Sequence, residues 1–133
     1  MNLAILVDAG LVVLIWMVQL LVYPSFLYYS KNDLDSWHKS YTPKITIIVA
    51  PLMFIQIGNA LFELYHDLSM IEISYFILVL FTWITTFWIF IPLHGKIQSG
   101  AYDRATLEKL VRYNWIRTAL WTGIFLFSIY NYL

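Results

Sequence analysis

Residues 73–93 contain no charged side chain. A helix rises 1.5 Å per residue, so a hydrocarbon core of roughly 30 Å takes about 20 mostly apolar residues. In lipid such a run can satisfy its own backbone polar groups only as a helix. The same template fits residues 3–23, 45–64 and 113–132. The expectation is an all-α polytopic membrane protein: one domain over 1–133, folded as a four-transmembrane-helix antiparallel bundle with a short interfacial helix in the 1–2 loop. A content of 61% hydrophobic and 12% charged residues agrees, being far from a soluble globular composition.

Local signals place the helix ends. Pro24 is expected to close helix 1, Pro43 to precede helix 2, and Pro92 to bend helix 3 at its exit. Asp103 is suited to cap helix 4, and Asp33 to cap the interfacial helix, where Leu34, Trp37 and Tyr41 share a face. Tyr23, Phe26, Tyr28, Tyr29, Trp37 and Tyr41 crowd one end of the first hairpin, with Tyr102, Tyr113 and Trp115 at the same level. They read as an aromatic belt.

The eight basic residues, Lys31, Lys39, Lys44, Lys96, Arg104, Lys109, Arg112 and Arg117, all lie in or beside the 1–2 and 3–4 loops. The 2–3 loop carries only Asp67 and Glu72, with Glu63 at its edge. The positive-inside rule puts the two basic loops in the cytoplasm and both termini outside, with a bacterial inner membrane as the expected location. Asp8 precedes every basic residue, so the positive region of a signal peptide is missing and segment 1 is expected to stay as a span. Eight acidic residues balance the basic ones, and no nucleic-acid partner is indicated. Without cysteine there is no thiolate haem ligand, iron–sulfur cluster or Cys-based zinc site. No Gly-rich phosphate loop is present and there are no two Glu-x-x-His motifs of the di-metal type, so nucleotide and di-metal chemistry rank low.

Polar groups inside a bilayer are costly and face the bundle interior, which makes each a site candidate. Trp16, Gln19 and Tyr23 follow i, i+3, i+7 spacing on helix 1, as do Gln56, Asn59 and Glu63 on helix 2 and Asn114, Arg117 and Trp121 on helix 4. Thr86, Phe90 and His94 follow at i+4 steps on helix 3. Gln19, His94, Asn114 and Arg117 lie within a turn or two of the cytoplasmic interface, so a pocket is expected to open there and deepen toward Gln56. Arg117 either snorkels to headgroups or turns inward to bind an anion. His94 serves either as an interfacial residue or as an acid/base. Glu63, His66 and Asp8 are expected to be wetted at the outer boundary. His38 and His94 are both near the cytoplasmic end and could ligate a haem b iron from opposite sides; no other metal site is indicated.

The steps Pro92-Leu93-His94 and Asn114-Trp115-Ile116-Arg117-Thr118 resemble those of the anthrone-oxygenase-like family of small four-helix membrane proteins. There the corresponding steps are Pro-Leu-Asn and Asn-x-x-Arg-Thr. The likeness spans roughly residues 85–122, with Tyr23-Pro24 matching the layout of the first half. It implies a membrane oxidoreductase or oxygenase acting without a metal cofactor on a lipophilic phenol-like substrate. Arg117 would stabilise the substrate anion and His94, standing where the family has Asn, would take its proton, making these two the catalytic pair. Gln19, Gln56, Asn114 and Trp121 would bind and orient the substrate. Two further readings stay open: a haem- or quinone-binding protein, and a non-catalytic small subunit or assembly factor of a larger membrane complex. The expected partners are the lipid bilayer, a lipophilic small molecule and a homo-oligomer or larger membrane complex.

Overall fold

A computed structural model of the chain describes residues 2–133, and among these the regular structure is entirely helical. Four helices follow one another: α1 (Leu3–Ser25), α2 (Lys31–His66), α3 (Met70–Gln98) and α4 (Arg104–Tyr132). The first three are long and apolar enough to cross a membrane, which marks an integral membrane protein.

Each helix starts on a side-chain cap that satisfies a backbone N–H left over by the first turn. Asn2 Oδ1 accepts from the Ala4 amide, Ser30 Oγ from Asp33 and Ser69 Oγ from Glu72. Asp103 and Thr106 form a reciprocal capping box, as the sequence suggested for helix 4. At the start of α2, Ser30 is the cap and Asp33 sits in the first turn. After α3, Gly100 turns the chain with φ +77°, a left-handed conformation that a side chain disfavours.

The prolines act differently from the expectation. Pro43 does not separate an interfacial helix from helix 2; both Pro43 and Pro51 lie inside the single α2. Each occupies an exposed position. Membrane helices tolerate such breaks where neighbouring groups and local adjustment re-satisfy the backbone. Pro24 and Pro92 also lie within helices, and both follow a π-helical turn, Val18–Val22 in α1 and Thr86–Phe90 in α3. Each π turn carries an extra residue, which re-aims the side chains beyond it. In α1 Gln19 and Tyr23 are buried, while Trp16, just before the π turn, is 38% exposed, donates to the Thr122 hydroxyl of α4 and meets the edge of Trp115.

α1 packs on α2 and α4, and α3 packs on the same two. The seam holds Val7, Leu11 and Ile15 from α1, Met53 and Ala60 from α2, Tyr75 and Val79 from α3, and Leu110 and Ile124 from α4. At one end the beginnings of α1 and α3 meet the late part of α2 and the end of α4. At the other, the late parts of α1 and α3 meet the early parts of α2 and α4. In lipid this packing is driven by van der Waals fit and interhelical hydrogen bonds rather than by removal from water.

Candidate functional site

α4 turns its polar residues inward. Asn114 and Trp121 are buried, and Arg117 is only 8% exposed, so the guanidinium is drawn into the bundle and does not snorkel. Gln19 of α1 organises its surroundings. The Gln19 amide donates to the Val111 carbonyl at 3.1 Å, and its Oε1 accepts from Asn114 at 3.0 Å and from the Thr118 hydroxyl at 3.1 Å. So oriented, Asn114 offers Oδ1 to Arg117 Nε and Nη2 at 3.0 and 2.8 Å. Nη2 also donates to the Tyr23 hydroxyl at 2.9 Å, and the guanidinium lies 3.5 Å from the centre of the Phe90 ring. Among the described residues Nη1 makes no hydrogen bond.

The hydrogen bonds continue past Arg117. The Tyr23 hydroxyl meets His94 Nε2 at 2.9 Å, His94 Nδ1 meets His38 Nε2 at 2.8 Å, and His38 Nδ1 meets Gln98 Oε1 at 2.9 Å. His38 is fully buried, flanked edge-on by Phe26, while Gln98 is exposed. Tyr23, Phe26 and Tyr41 therefore belong to the core and not to an aromatic belt; Tyr28, Tyr29 and Trp37 remain exposed.

Beside these groups is a cavity of ≈ 190 Å³. Tyr23, His94, Arg117 and Trp121 supply its polar wall, and Ile15, Val18, Ile45, Val49 and Phe90 are among its apolar lining. Thr46 and Ile91, at its rim on α2 and α3, are exposed. α2 packs on α3 mainly before and after the π turn. The opening faces sideways, between these two helices.

A second polar cluster lies at the far end. Asp8 was expected to be wetted and is instead 0% exposed. Its carboxylate accepts from Gln56 at 2.6 Å, from the Tyr75 hydroxyl at 3.0 Å on both oxygens, and from Ser128. The depth follows from packing: Tyr75, Gln56 and Ser128 each present a donor at the level of Asp8, replacing water. Gln56 Oε1 in turn accepts from Trp121 Nε1 at 3.3 Å.

Of the residues singled out in the sequence, His94, Arg117 and Trp121 stand at the cavity wall, with Thr86 and Phe90. Gln19 and Asn114 lie behind Arg117 and fix its orientation, and Gln56 ties Trp121 to Asp8. Asn59 and Glu63 are half-buried. The sequence places Tyr23 on the polar stripe of helix 1 without assigning it a role, and links His38 to His94 only through a metal. Tyr23 and His94 each follow a π turn, which has no signature in the sequence.

The histidine pair does not fit a haem. Two nitrogens ligating one metal from opposite sides at ~2.0–2.1 Å each stand about 4 Å apart. Here they share a hydrogen bond at 2.8 Å, with ring planes tilted by 22° and centroids 5.1 Å apart, leaving no slot for a porphyrin. Among the described residues there is also no cluster of three or more His, Asp or Glu placed to hold a metal. Comparison with known proteins returned no matching family model, no matching curated protein and no matching solved structure.

Proposed function

We propose that this chain is a four-span antiparallel bundle that takes the acidic hydroxyl of a lipophilic, phenol-like molecule beside Arg117, removes its proton and so readies it for oxidation, as an oxygenase-like oxidoreductase. The observation that carries this reading is Arg117 itself. A buried cation at the wall of a largely apolar cavity has Nη1 free of protein partners, next to the Tyr23–His94 pair. A phenolate supplies the missing acceptor and the missing negative charge, and the low-dielectric surroundings strengthen the attraction.

The cavity matches the substrate class in size and access. At ≈ 190 Å³ it is below the ~300–1,000 Å³ of ordinary small-molecule pockets, which suits one ring rather than a whole large ligand. The sideways opening between α2 and α3 leaves the remainder of such a molecule in the lipid. The likeness of Asn114-Trp115-Ile116-Arg117-Thr118 to the anthrone-oxygenase-like pattern supports the oxidative step, with dioxygen as the acceptor of electrons from the phenolate.

Helix α4 is the fourth span in this reading, although its composition is too polar to mark it as one. Its polar side chains Asn114, Arg117, Thr118 and Ser128 are buried where it packs against α1 and α3, and its exposed positions from Trp115 onward, including Ile116, Ala119, Leu126 and Tyr130, suit lipid. The one-sided basic loops put the Arg117 end at the cytoplasmic face. The test is to purify the protein in mild detergent and identify the lipophilic molecule that accompanies it by mass spectrometry. Its turnover is then compared in the wild type, Arg117→Gln and His94→Ala. Loss in both variants supports the reading, and turnover at the unmutated rate overturns it.

A further inference from the structure

We infer that Tyr23, His94, His38 and Gln98 form a proton wire of defined resting polarity, carrying the proton released in the cavity to the exposed end of α3. The inference rests on the proposed deprotonation for its purpose, but its polarity follows from geometry alone.

Arginine has only donors, so Tyr23 Oη accepts from Arg117 Nη2 and turns its own hydrogen toward His94 Nε2. A neutral imidazole carries one N–H, which for His94 is then on Nδ1 and donates to His38 Nε2. The His38 proton is accordingly on Nδ1 and donates to Gln98 Oε1. An amide oxygen can only accept, so the far end demands the same direction as the near one. Arg117 thus fixes the polarity, Gln98 with its oxygen toward His38 accepts in the same direction, and each histidine is held as its Nδ1–H tautomer.

The proton balance is straightforward. The substrate O–H bond breaks and its electron pair stays on the oxygen, opposite Arg117 Nη1. That proton moves to Tyr23 Oη as the tyrosine proton passes to His94 Nε2; the His94 Nδ1 proton passes to His38 Nε2. His38, now doubly protonated, gives its Nδ1 proton to water when Gln98 swings aside, which leaves both rings as Nε2–H tautomers that return to Nδ1–H before the next turnover. Arg117 is the formal charge touching this chain; Tyr41 packs against His38 at 6.2 Å between centroids and Thr42 reaches its Nδ1 at 3.4 Å. A fixed cation at the cavity end drives an excess proton outward, toward Gln98.

The first test needs no ligand. Nitrogen-15 NMR of the full chain in lipid nanodiscs at neutral pH should report both His38 and His94 protonated on Nδ1; either ring protonated only on Nε2 overturns the wire. The second uses para-nitrophenol bearing an octyl chain, with a pH-indicating dye in stopped flow. Proton release per phenolate formed should slow at least tenfold in His38→Ala and in Gln98→Leu, and added imidazole should restore the rate in His38→Ala. Release at the wild-type rate in both variants overturns the wire and leaves the Arg117 site standing. If the wild type forms no phenolate, the site reading fails, and the tautomers alone decide the wire.

Discussion

Replacing Asp8 by alanine removes an acceptor on which three helices converge. Its carboxylate takes hydrogen bonds from Gln56, from Ser128 and, on both oxygens, from Tyr75, at 0% exposure. Three donors would be orphaned inside the bundle. Each buried unsatisfied donor costs about 1–3 kcal/mol, whereas interhelical hydrogen bonds in membrane proteins average about 0.6 kcal/mol because the unfolded chain finds other partners. Weighing both, Asp8→Ala should lose about 3–5 kcal/mol. Asp8→Asn keeps one oxygen for Gln56 and Tyr75, and the hydroxyl of Ser128 can rotate to accept from the new amide. It should lose under about 1.5 kcal/mol, the scale of one net hydrogen bond. Reversible unfolding in mixed micelles of a mild detergent and SDS, followed by tryptophan fluorescence, measures both. Equal losses in the two variants, or a loss under about 1 kcal/mol for alanine, would refute the claim that donor satisfaction holds this end of the bundle.

Gln19→Leu takes the shared acceptor from Asn114 and Thr118 and should loosen Arg117, weakening binding of the octyl nitrophenol by roughly tenfold, the size of one lost hydrogen bond of about 1.4 kcal/mol. Equilibrium titration of the bound phenolate absorbance reads this. The Thr106 amide and hydroxyl hold the Asp103 carboxyl below its ordinary value of 3.8. A folded-state value depressed in this way stabilises above the ordinary value and is lost as pH falls through the lowered one. Protection of the first-turn amides of α4, taken relative to their intrinsic exchange at each pH, should therefore fall below about pH 4 and stay constant there in Asp103→Asn, which caps without ionising. Protease sites inserted in the 1–2 and 2–3 loops should be cut from the cytoplasmic and the opposite side respectively; the reverse pattern would overturn the orientation drawn from the basic residues.

Hydropathy carries the existence of the first three helices, and the i, i+3, i+7 spacing of Asn114, Arg117 and Trp121 carries the inward face of α4. Thr86, Phe90 and His94 were legible as one line, and Asp103 as a cap. The length of α2 was hidden because Pro43 looks like a boundary, yet an exposed proline in a long helix leaves a carbonyl that local adjustment can satisfy. The π turns were hidden for a related reason: one extra residue in a turn has no compositional signature, yet it shifts the facing of the side chains that follow, Tyr23 and His94 among them. Asp8 was placed in water by counting residues from the chain start. The donors that replace water come from Gln56, Tyr75 and Ser128, far apart in sequence, and no local pattern joins them.

The central claim is that Arg117 holds an anion at the wall of a lipid-facing cavity, and phenolate binding measures it most directly. Wild-type protein in nanodiscs, titrated with para-nitrophenol bearing an octyl chain below the pH at which that phenol ionises in lipid alone, should develop the yellow phenolate band at saturable stoichiometry. Arg117→Gln, losing a charge-assisted hydrogen bond of about 1.5–3 kcal/mol, should need roughly 10–150 times more ligand for the same band. A band of equal strength and affinity in the two proteins, or none in the wild type, would contradict the account.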